Sequence, residues 1–203
     1  PMTALNPLHT IGRQLTESFV WHNAPTPSAT RKRQQELLDL VGLTHLEDRL
    51  DAYPHHLSGG ERQRVMIGMA MACEPKLLIC DEPTTALDVT LQRQILRLLK
   101  QLQQSRNMGI LLITHDLPVV RKVADRVLVM QHGRIVEAGK TRDIFSNPQH
   151  PYTKQLIHAL PKTNHVPVAS DAPDILTSDE LKVHFPIKSS FLRRTLRHVR
   201  AVD

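Results

Sequence analysis

Apolar residues recur at helical spacing in the first part of the chain. Ile11, Leu15 and Phe19 lie on one face of a predicted helix that ends at the proline-rich segment 23–28. A second helix is predicted over 30–41, which a glycine follows. We therefore expect the opening of the chain to be mainly helical.

Two short apolar runs, residues 77–80 and 109–114, have the composition of strands that are covered on both faces of a parallel sheet. Between them, residues 89–105 carry leucine and isoleucine at helical spacing. Strand, helix and strand in this length predict a βαβ unit, whose crossover places both strand ends at one edge of the sheet. Ligands of open α/β folds gather at that edge.

A third helix has a clear start signal. Ser58 is predicted to be its N-cap, and Glu61 completes the spacing of a capping box before the apolar residues 65–73. Free N–H groups, the positive end of the helix dipole and the missing Cβ atoms of Gly59 and Gly60 make this helix start suited to an anion. For these few residues alone, an ordinary capped helix is the alternative.

Later in the chain, residues 126–130 and 134–137 flank a glycine-containing turn and predict a β-hairpin. Residues 139–141 (Gly-Lys-Thr) look like the end of a phosphate-binding loop. The full pattern G-x-x-x-x-G-K-[ST], however, requires glycine where Arg134 stands. We therefore interpret this tripeptide as a turn.

Composition narrows the class of protein. Hydrophobic residues make up 40% of the chain, which is enough for a core, and no apolar run approaches the roughly 20 residues that cross a bilayer. The net charge is +6, with basic residues crowded into 188–200. We interpret this stretch as solvated and partly ordered rather than as a nucleic-acid patch, because no aromatic stacking partners interleave with it. Cys73 and Cys80 lack metal-ligand spacing and are predicted to be small buried residues.

Three motifs, in this order, resemble those of the ATP-binding subunits of ABC transporters. Residues 57–64 (Leu-Ser-Gly-Gly-Glu-Arg-Gln-Arg) resemble the signature motif. Residues 77–88, which contain Asp-Glu-Pro-Thr-Thr-Ala-Leu-Asp, resemble the Walker B motif and D-loop, and residues 113–116 (Ile-Thr-His-Asp) resemble the switch-histidine segment. The resemblance implies an α/β fold: a partial P-loop NTPase domain of the ABC type, with a parallel-sheet catalytic core that lacks its N-terminal part and a helical subdomain.

The same resemblance implies a role for the signature residues. Four of them would contact the γ-phosphate of ATP bound on the opposite subunit of a head-to-tail dimer: Ser58, Gly59, Gly60 and Gln63. Asp88, in the D-loop, would lie at the seam of that dimer and couple its two sites.

The carboxylates and the histidine at the strand ends carry the implied chemistry. Asp81 would hold Mg²⁺ through water, and Glu82 would polarise the attacking water. His115 would contact the γ-phosphate and stabilise the charge that develops during phosphoryl transfer. A carboxylate pair or a lone histidine after a strand is more often structural, and the order of the three motifs favours the catalytic interpretation.

Residues 147–156 (Asn-Pro-Gln-His-Pro-Tyr-Thr-Lys-Gln-Leu) resemble the tail motif of the oligopeptide and dipeptide importer group. The segment 161–178 is rich in proline and small polar residues without periodicity, and it is predicted to be a linker. Residues 181–186 after it resemble the opening strand of another copy of the same domain. This arrangement is similar to that of fused two-domain peptide importers.

The predicted organisation follows from these matches. Residues 1–160 are expected to be the later part of a first nucleotide-binding domain, with the helical subdomain and signature in 1–73, the catalytic core in 74–140 and the importer tail in 141–160. Residues 179–203 are expected to open a second domain. Both ends of the chain are interpreted as internal to a longer protein.

The resemblance implies an ATP-hydrolysing subunit of a bacterial peptide importer, with ATP and Mg²⁺ as cofactors, on the cytoplasmic face of the inner membrane. The implied partners are integral membrane permease subunits, a second nucleotide-binding domain of the same chain and, indirectly, a periplasmic substrate-binding protein. Two alternatives stay open: an ABC ATPase that acts on nucleic acid, which the pI of about 9.6 mildly favours, and a non-hydrolytic half that completes a partner's site.

The sequence contains no G-x-x-x-x-G-K-[ST] loop. No other set of residues in it could cradle the β-phosphate. We therefore expect the chain by itself neither to bind ATP tightly nor to hydrolyse it.

Overall fold

A computed structural model describes residues 4–20, 26–160, 177–188 and 195–202. The chain divides into two units, Pro1–Leu160 and Pro161–Asp203. The elements of the first unit are α1 (Ile11–Val20), α2 (Pro27–Leu40), two 3₁₀ helices (Thr44–Arg49 and Pro54–His56), α3 (Gly59–Met71), β1 (Leu77–Asp81), α4 (Val89–Arg106), β2 (Gly109–Ile113), α5 (Leu117–Val123), β3 (Arg126–Gln131), β4 (Arg134–Lys140), α6 (Thr141–Ser146) and α7 (Pro151–His158). The second unit contains β5 (Val183–Lys188) and β6 (Thr195–Val202).

The helical opening is confirmed. Ile11, Leu15 and Phe19 form the buried face of α1 and pack into one core with residues of α2 and α3. The predicted end of this first helix falls in 21–25, which lies outside the described residues. α2 ends at Leu40, and Gly42 follows with a φ of 71°, the left-handed conformation that glycine adopts without strain.

The βαβ unit is also confirmed, with one difference. β1 and β2 pair in parallel, with Leu77 opposite Gly109 and Asp81 opposite Ile113. We predicted that both faces of this sheet are covered, but only one is: the side chain of Leu78 is buried, whereas other apolar side chains of the two strands are exposed. Apolar composition indicates that a strand can be covered on both faces, and it does not supply the covering layer.

The predicted hairpin is formed by β3 and β4, which pair antiparallel. Its two turn residues, His132 and Gly133, both have positive φ, 49° and 74°. The turn predicted for residues 139–141 is wrong: the first two residues end β4 and Thr141 begins α6. The Thr141 hydroxyl donates to the Ala124 carbonyl at 2.6 Å, so this threonine connects α6 to the end of α5.

The second unit is a pair of antiparallel strands, β5 and β6. β5 matches the strand expected near 181–186. β6 was not predicted, because its sequence falls in the stretch that we interpreted as a solvated basic segment. Most of the predicted linker lies outside the described residues, and the interpretation of 179–203 as the opening of a further domain stays a prediction.

Two further predictions concern single residues and bilayer spans. Cys80 is buried, and burial raises the pKa of its thiol to about 11. Cys73 is exposed, so the prediction for it is wrong; it lies in the turn after α3, where the chain reaches the surface. Among the described residues, every helix is too short or too polar to span a bilayer.

Candidate functional site

The start of α3 has the predicted cap. Ser58 Oγ accepts the Glu61 N–H at 3.3 Å, and Glu61 Oε2 accepts the Ser58 N–H at 2.8 Å. The Arg62 N–H donates to the Ser58 carbonyl at 3.0 Å. Within the described part of the chain, the N–H groups of Gly59 and Gly60 are left as first-turn donors without an acceptor. This helix start can therefore receive an anion.

Glycine at the helix start also permits close packing against α4. A Cβ atom on Gly60 would lie 3.0 Å from Leu91 Cδ2, and one on Gly59 would lie 3.5 Å from Leu87 Cδ2. The first distance is tighter than an ordinary carbon contact, so a side chain at position 60 would require Leu91 to shift by a few tenths of an ångström. The signature segment is thus packed against the start of α4 and the residue before its cap.

The carboxylate of Glu61 has a second partner that the sequence did not reveal. His45, in the first 3₁₀ helix, places its Nε2 atom 2.8 Å from Glu61 Oε1. This contact, together with the hydrogen bonds from Ser58, lowers the pKa of Glu61 to about 2. The helix start therefore carries an ionised carboxylate beside its free backbone donors.

Gln63 differs from the other signature residues. Its side chain is only 5% exposed, and it belongs to the buried set of α3. The structure gives it a place in the packing of the helical region. Its contact with a nucleotide stays a prediction, as do those of Ser58, Gly59 and Gly60.

Glu82 and His115 are brought together at the carboxyl edge of the parallel sheet. The Glu82 N–H donates to the Ile113 carbonyl at 2.9 Å and extends the β1–β2 ladder by one residue. Glu82 Oε1 then lies 2.7 Å from His115 Nδ1. Residues 33 positions apart in sequence thus share one hydrogen bond at the edge where ligands gather.

Glu82 and His115 shift each other's pKa in opposite directions. The pKa of the Glu82 carboxyl lies below its usual value, first because the Thr85 hydroxyl donates to it and second because His115 does. The same carboxylate raises the pKa of His115 above its usual value. Both shifts favour the carboxylate and imidazolium forms. The side chain of His115 is 80% exposed, so water screens this attraction.

Thr85 is a residue of this site that we did not predict. Its hydroxyl donates to Glu82 Oε2 at 2.6 Å, so each carboxylate oxygen of Glu82 has its own partner. The available signal was the spacing, since a hydroxyl three residues after a turn carboxylate can reach back to it.

Asp81 is the last residue of β1, and its side chain is exposed beside Glu82. No group of three or more histidine, cysteine, aspartate or glutamate side chains converges on a metal position among the described residues. Mg²⁺ typically keeps several waters and uses one or two carboxylates together with substrate phosphates. An exposed carboxylate at a strand end fits that mode of binding.

Asp88 caps α4. Its Oδ1 atom accepts the N–H groups of Thr90 at 2.8 Å and Leu91 at 3.0 Å. The residue therefore has a role within this chain, and its predicted place at a dimer seam stays a prediction. Among the described residues, no hydrogen bond or ion pair joins Ser58 to Glu82 or His115, so the two parts of the site are separate.

The segment that resembles the importer tail is fastened to the hairpin. Glu137, on β4, accepts the N–H groups of Gln149 at 2.8 Å and His150 at 3.0 Å, and these bonds, the first above all, lower the pKa of its carboxyl. His150 caps α7 through a hydrogen bond from the Tyr152 N–H to its Nδ1 atom at 3.2 Å.

Comparison with known families finds two matches. Residues 3–85 match the model of the ABC transporter family. Residues 136–177 match the oligopeptide/dipeptide transporter C-terminal region. The second match begins on β4, one residue before Glu137, and includes α6 and α7.

Comparison with individual proteins agrees. The chain is 56% identical over its whole length to the peptidoglycan transport ATP-binding protein YejF of Agrobacterium fabrum, of which it covers 37%. It is 55% identical over 80% of its length to the dipeptide transport ATP-binding protein DppD of Haemophilus influenzae, of which it covers 49%. It is 44% identical over its whole length to the glutathione import ATP-binding protein GsiA of Pectobacterium atrosepticum, of which it covers 37%. The chain thus spans between about a third and a half of these relatives.

The solved structure of CbiO1 from Clostridium perfringens, part of the ABC transporter complex CbiONQ, is similar to 71% of the chain and is 55% covered by it. The TM-score is 0.61 and the sequence identity is 30%. The predicted fold class is confirmed: the chain has the ABC ATPase fold, and it covers part of that domain.

Proposed function

We propose that the complete protein hydrolyses ATP to drive peptide import, because this chain belongs to the ABC transporter ATP-binding proteins with an oligopeptide/dipeptide C-terminal region. One observation carries the proposal: Glu82 and His115 are held 2.7 Å apart at the carboxyl edge of a parallel sheet, in a chain that also has the tail of peptide transporters. The names of similar proteins support short peptides as the substrate class.

The proposed hydrolysis is a displacement at the γ-phosphorus of ATP. A water oxygen forms the new bond to phosphorus, the bond to the bridging oxygen of ADP breaks, and Glu82 accepts a proton of that water. His115 donates a hydrogen bond to a γ-phosphate oxygen. Asp81 would hold Mg²⁺ through water, and the bound ion would supply positive charge that neutralises the phosphates.

The start of α3 serves a different nucleotide in this proposal. The free N–H groups of Gly59 and Gly60, with Ser58 and Gln63, contact the γ-phosphate of ATP held by an opposing domain in a head-to-tail pair, and Asp88 lies at the seam. Closure of this pair on ATP is the step that drives transport. The opposing domain belongs to the same complete chain.

The complete protein acts with permease subunits of the inner membrane, on their cytoplasmic face, and receives peptide indirectly from a periplasmic binding protein. The test is reconstitution of the complete protein with its permease and binding protein in liposomes. We expect a dipeptide to stimulate ATP hydrolysis and to enter the vesicles, and a free amino acid, as the control, to do neither. Stimulation by DNA or RNA, lost at high salt and absent with peptide, would contradict the proposal and favour the nucleic-acid alternative.

We expect the 203-residue chain alone to be inactive. Its sequence has no G-x-x-x-x-G-K-[ST] loop to cradle the β-phosphate, so it cannot hold a nucleotide beside Glu82 and His115 or present one to the α3 start of an identical partner. Isothermal titration calorimetry of the isolated chain with ATP and Mg²⁺ is the test. A dissociation constant in the micromolar range would contradict this expectation.

A further inference from the structure

The carboxylate of Glu82 is held by both of its oxygens. Oε1 is 2.7 Å from His115 Nδ1, and Oε2 accepts the hydroxyl hydrogen of Thr85 at 2.6 Å. The length of the second bond lies in the range of charge-assisted O–H···O⁻ bonds, roughly 2.5–2.7 Å, so it belongs to the stronger class of hydrogen bond. A carboxylate held through one oxygen can still turn about its last carbon–carbon bond, whereas one held through both has a fixed plane.

The backbone has an unusual conformation at the start of this turn and directly after Thr85. Glu82 has a φ of 49° and Ala86 a φ of 64°, the left-handed region that non-glycine residues rarely adopt. The Thr85 N–H donates to the Glu82 carbonyl at 3.2 Å, and the Glu82 N–H remains on the Ile113 carbonyl. Thr85 is thus bonded to Glu82 twice, once through its backbone and once through its side chain. Such strained conformations cluster at functional sites.

We propose that Thr85 is a positioning residue, which fixes the carboxylate plane of Glu82 so that a free lone pair faces the attacking water. This inference rests on the proposed ATPase function. Thr85 keeps its proton throughout, and Glu82 alone receives the proton of water. A carboxylate has about four lone-pair sites, so two hydrogen bonds leave room for the water. Small errors in orientation have large effects on rate, because a displacement of about 1 Å can cost roughly a hundredfold.

The neighbouring threonine supplies a matched control. Thr84 takes part in the hydrogen bonding of this turn through its backbone carbonyl, which accepts the Leu87 N–H at 3.2 Å. A change of Thr84 to valine keeps the same turn and the same side-chain shape. It removes a hydroxyl one position away from the one that reaches Glu82.

The experiment measures steady-state ATP hydrolysis by the complete protein with its permease. Thr85→Val should lower kcat about tenfold or more, with little change in KM for ATP, and Thr85→Ala should do the same if the valine variant folds poorly. Thr85→Ser, which keeps the hydroxyl, and Thr84→Val should both stay near the wild-type kcat. In a Glu82→Gln background, Thr85→Val should have no further effect, because the carboxylate that it positions is gone.

Two results would overturn the inference: a wild-type kcat in both Thr85→Val and Thr85→Ala, or a serine variant as impaired as the valine variant. If the proposed function is wrong, Glu82→Gln itself retains the wild-type rate, regardless of the rates of the Thr85 variants. A normal loss in Glu82→Gln with normal rates in the Thr85 variants would therefore overturn the role of Thr85 alone.

Discussion

The helical region and the parallel sheet close their cores to different degrees. In the helices, Leu15 and Val65 have no exposed surface and pack in one core with their neighbours. In the sheet, Leu78 is buried, but Ile79 beside it is 61% exposed and Leu77 is 55% exposed. Apolar surface contributes to stability only where it leaves water, at about 25 cal/mol per Å². One face of the sheet therefore adds little to the stability of this chain.

One part of the candidate site lies in the helical region, and the other lies at the edge of the parallel sheet. The start of α3, where we predict anion binding, belongs to the region whose core is closed, and its Gly60 is packed against α4. Glu82 and His115 stand at the end of strands with one uncovered face. We infer that residues of this chain alone fix the geometry of the helix start. The geometry of Glu82 and His115 depends more on residues that cover the open face of the β1–β2 sheet.

The largest expected effect comes from core truncation. Leu15→Ala should lower the free energy of unfolding by about 2–5 kcal/mol, because it leaves a cavity in the closed core. Ile79→Ala, the matched change on the open face, should alter it by only about 0.5 kcal/mol or less. Urea denaturation followed by circular dichroism measures both.

Equal losses in the two variants would show that the sheet and the helical region contribute equally to stability. Ile79→Ala should also be measured in the complete protein. A larger loss there than in this chain would identify the open face as one that further sequence covers.

The cap of α4 should have the next largest effect. Asp88→Ala removes the acceptor for the Thr90 and Leu91 N–H groups and should cost about 0.5–2 kcal/mol, while Asp88→Asn should retain most of the cap. Amide hydrogen exchange in the first turn of α4 is the measurement. Protection that survives in the alanine variant would show that the carboxylate contributes nothing to the helix start.

Loss of the tail anchor should have a local effect. Glu137→Ala removes the acceptor for two N–H groups before α7, and the amides of Gln149 and His150 should then exchange faster with solvent. Glu137→Gln keeps one side-chain oxygen and should give an intermediate rate. Unchanged exchange in the alanine variant would contradict the assignment of Glu137 as the anchor.

The smallest effect concerns acid stability of the helix start. The folded pKa of Glu61 is about 2, below the ordinary value of 4.5. A carboxyl with a lowered folded pKa stabilises the fold above its unfolded pKa, and this contribution is lost as pH falls from about 4.5 towards 2. Thermal unfolding midpoints over that range should fall less steeply in Glu61→Gln than in the wild type. Identical pH profiles would contradict the prediction.

Sequence patterns were reliable where the cause is local. The helical spacing of Ile11, Leu15 and Phe19 and the capping box of Ser58 each depend on residues a few positions apart. The parallel pairing of β1 and β2 is not local, but it was predictable because the helical segment between them has the length of a crossover.

The patterns failed where the cause is distant. A run of apolar residues does not say whether a second layer covers it, so the exposure of Ile79 was missed. His45 meets Glu61 across 16 positions, and no spacing rule relates the two. Thr85 was close enough to find, but a threonine in a turn has many uses, and its partner is shown only by the hydrogen bond of 2.6 Å to Glu82 Oε2.

In the proposed mechanism, Glu82 acts as the general base of ATP hydrolysis. Its most direct test is to measure ATP binding and ATP hydrolysis by the complete protein with its permease, for the wild type and for Glu82→Gln. We predict a fall in kcat of about 10²–10⁴ with ATP binding retained, since glutamine keeps the shape of the side chain but cannot accept the proton of water. A Glu82→Gln protein that hydrolyses ATP at the wild-type rate would contradict it.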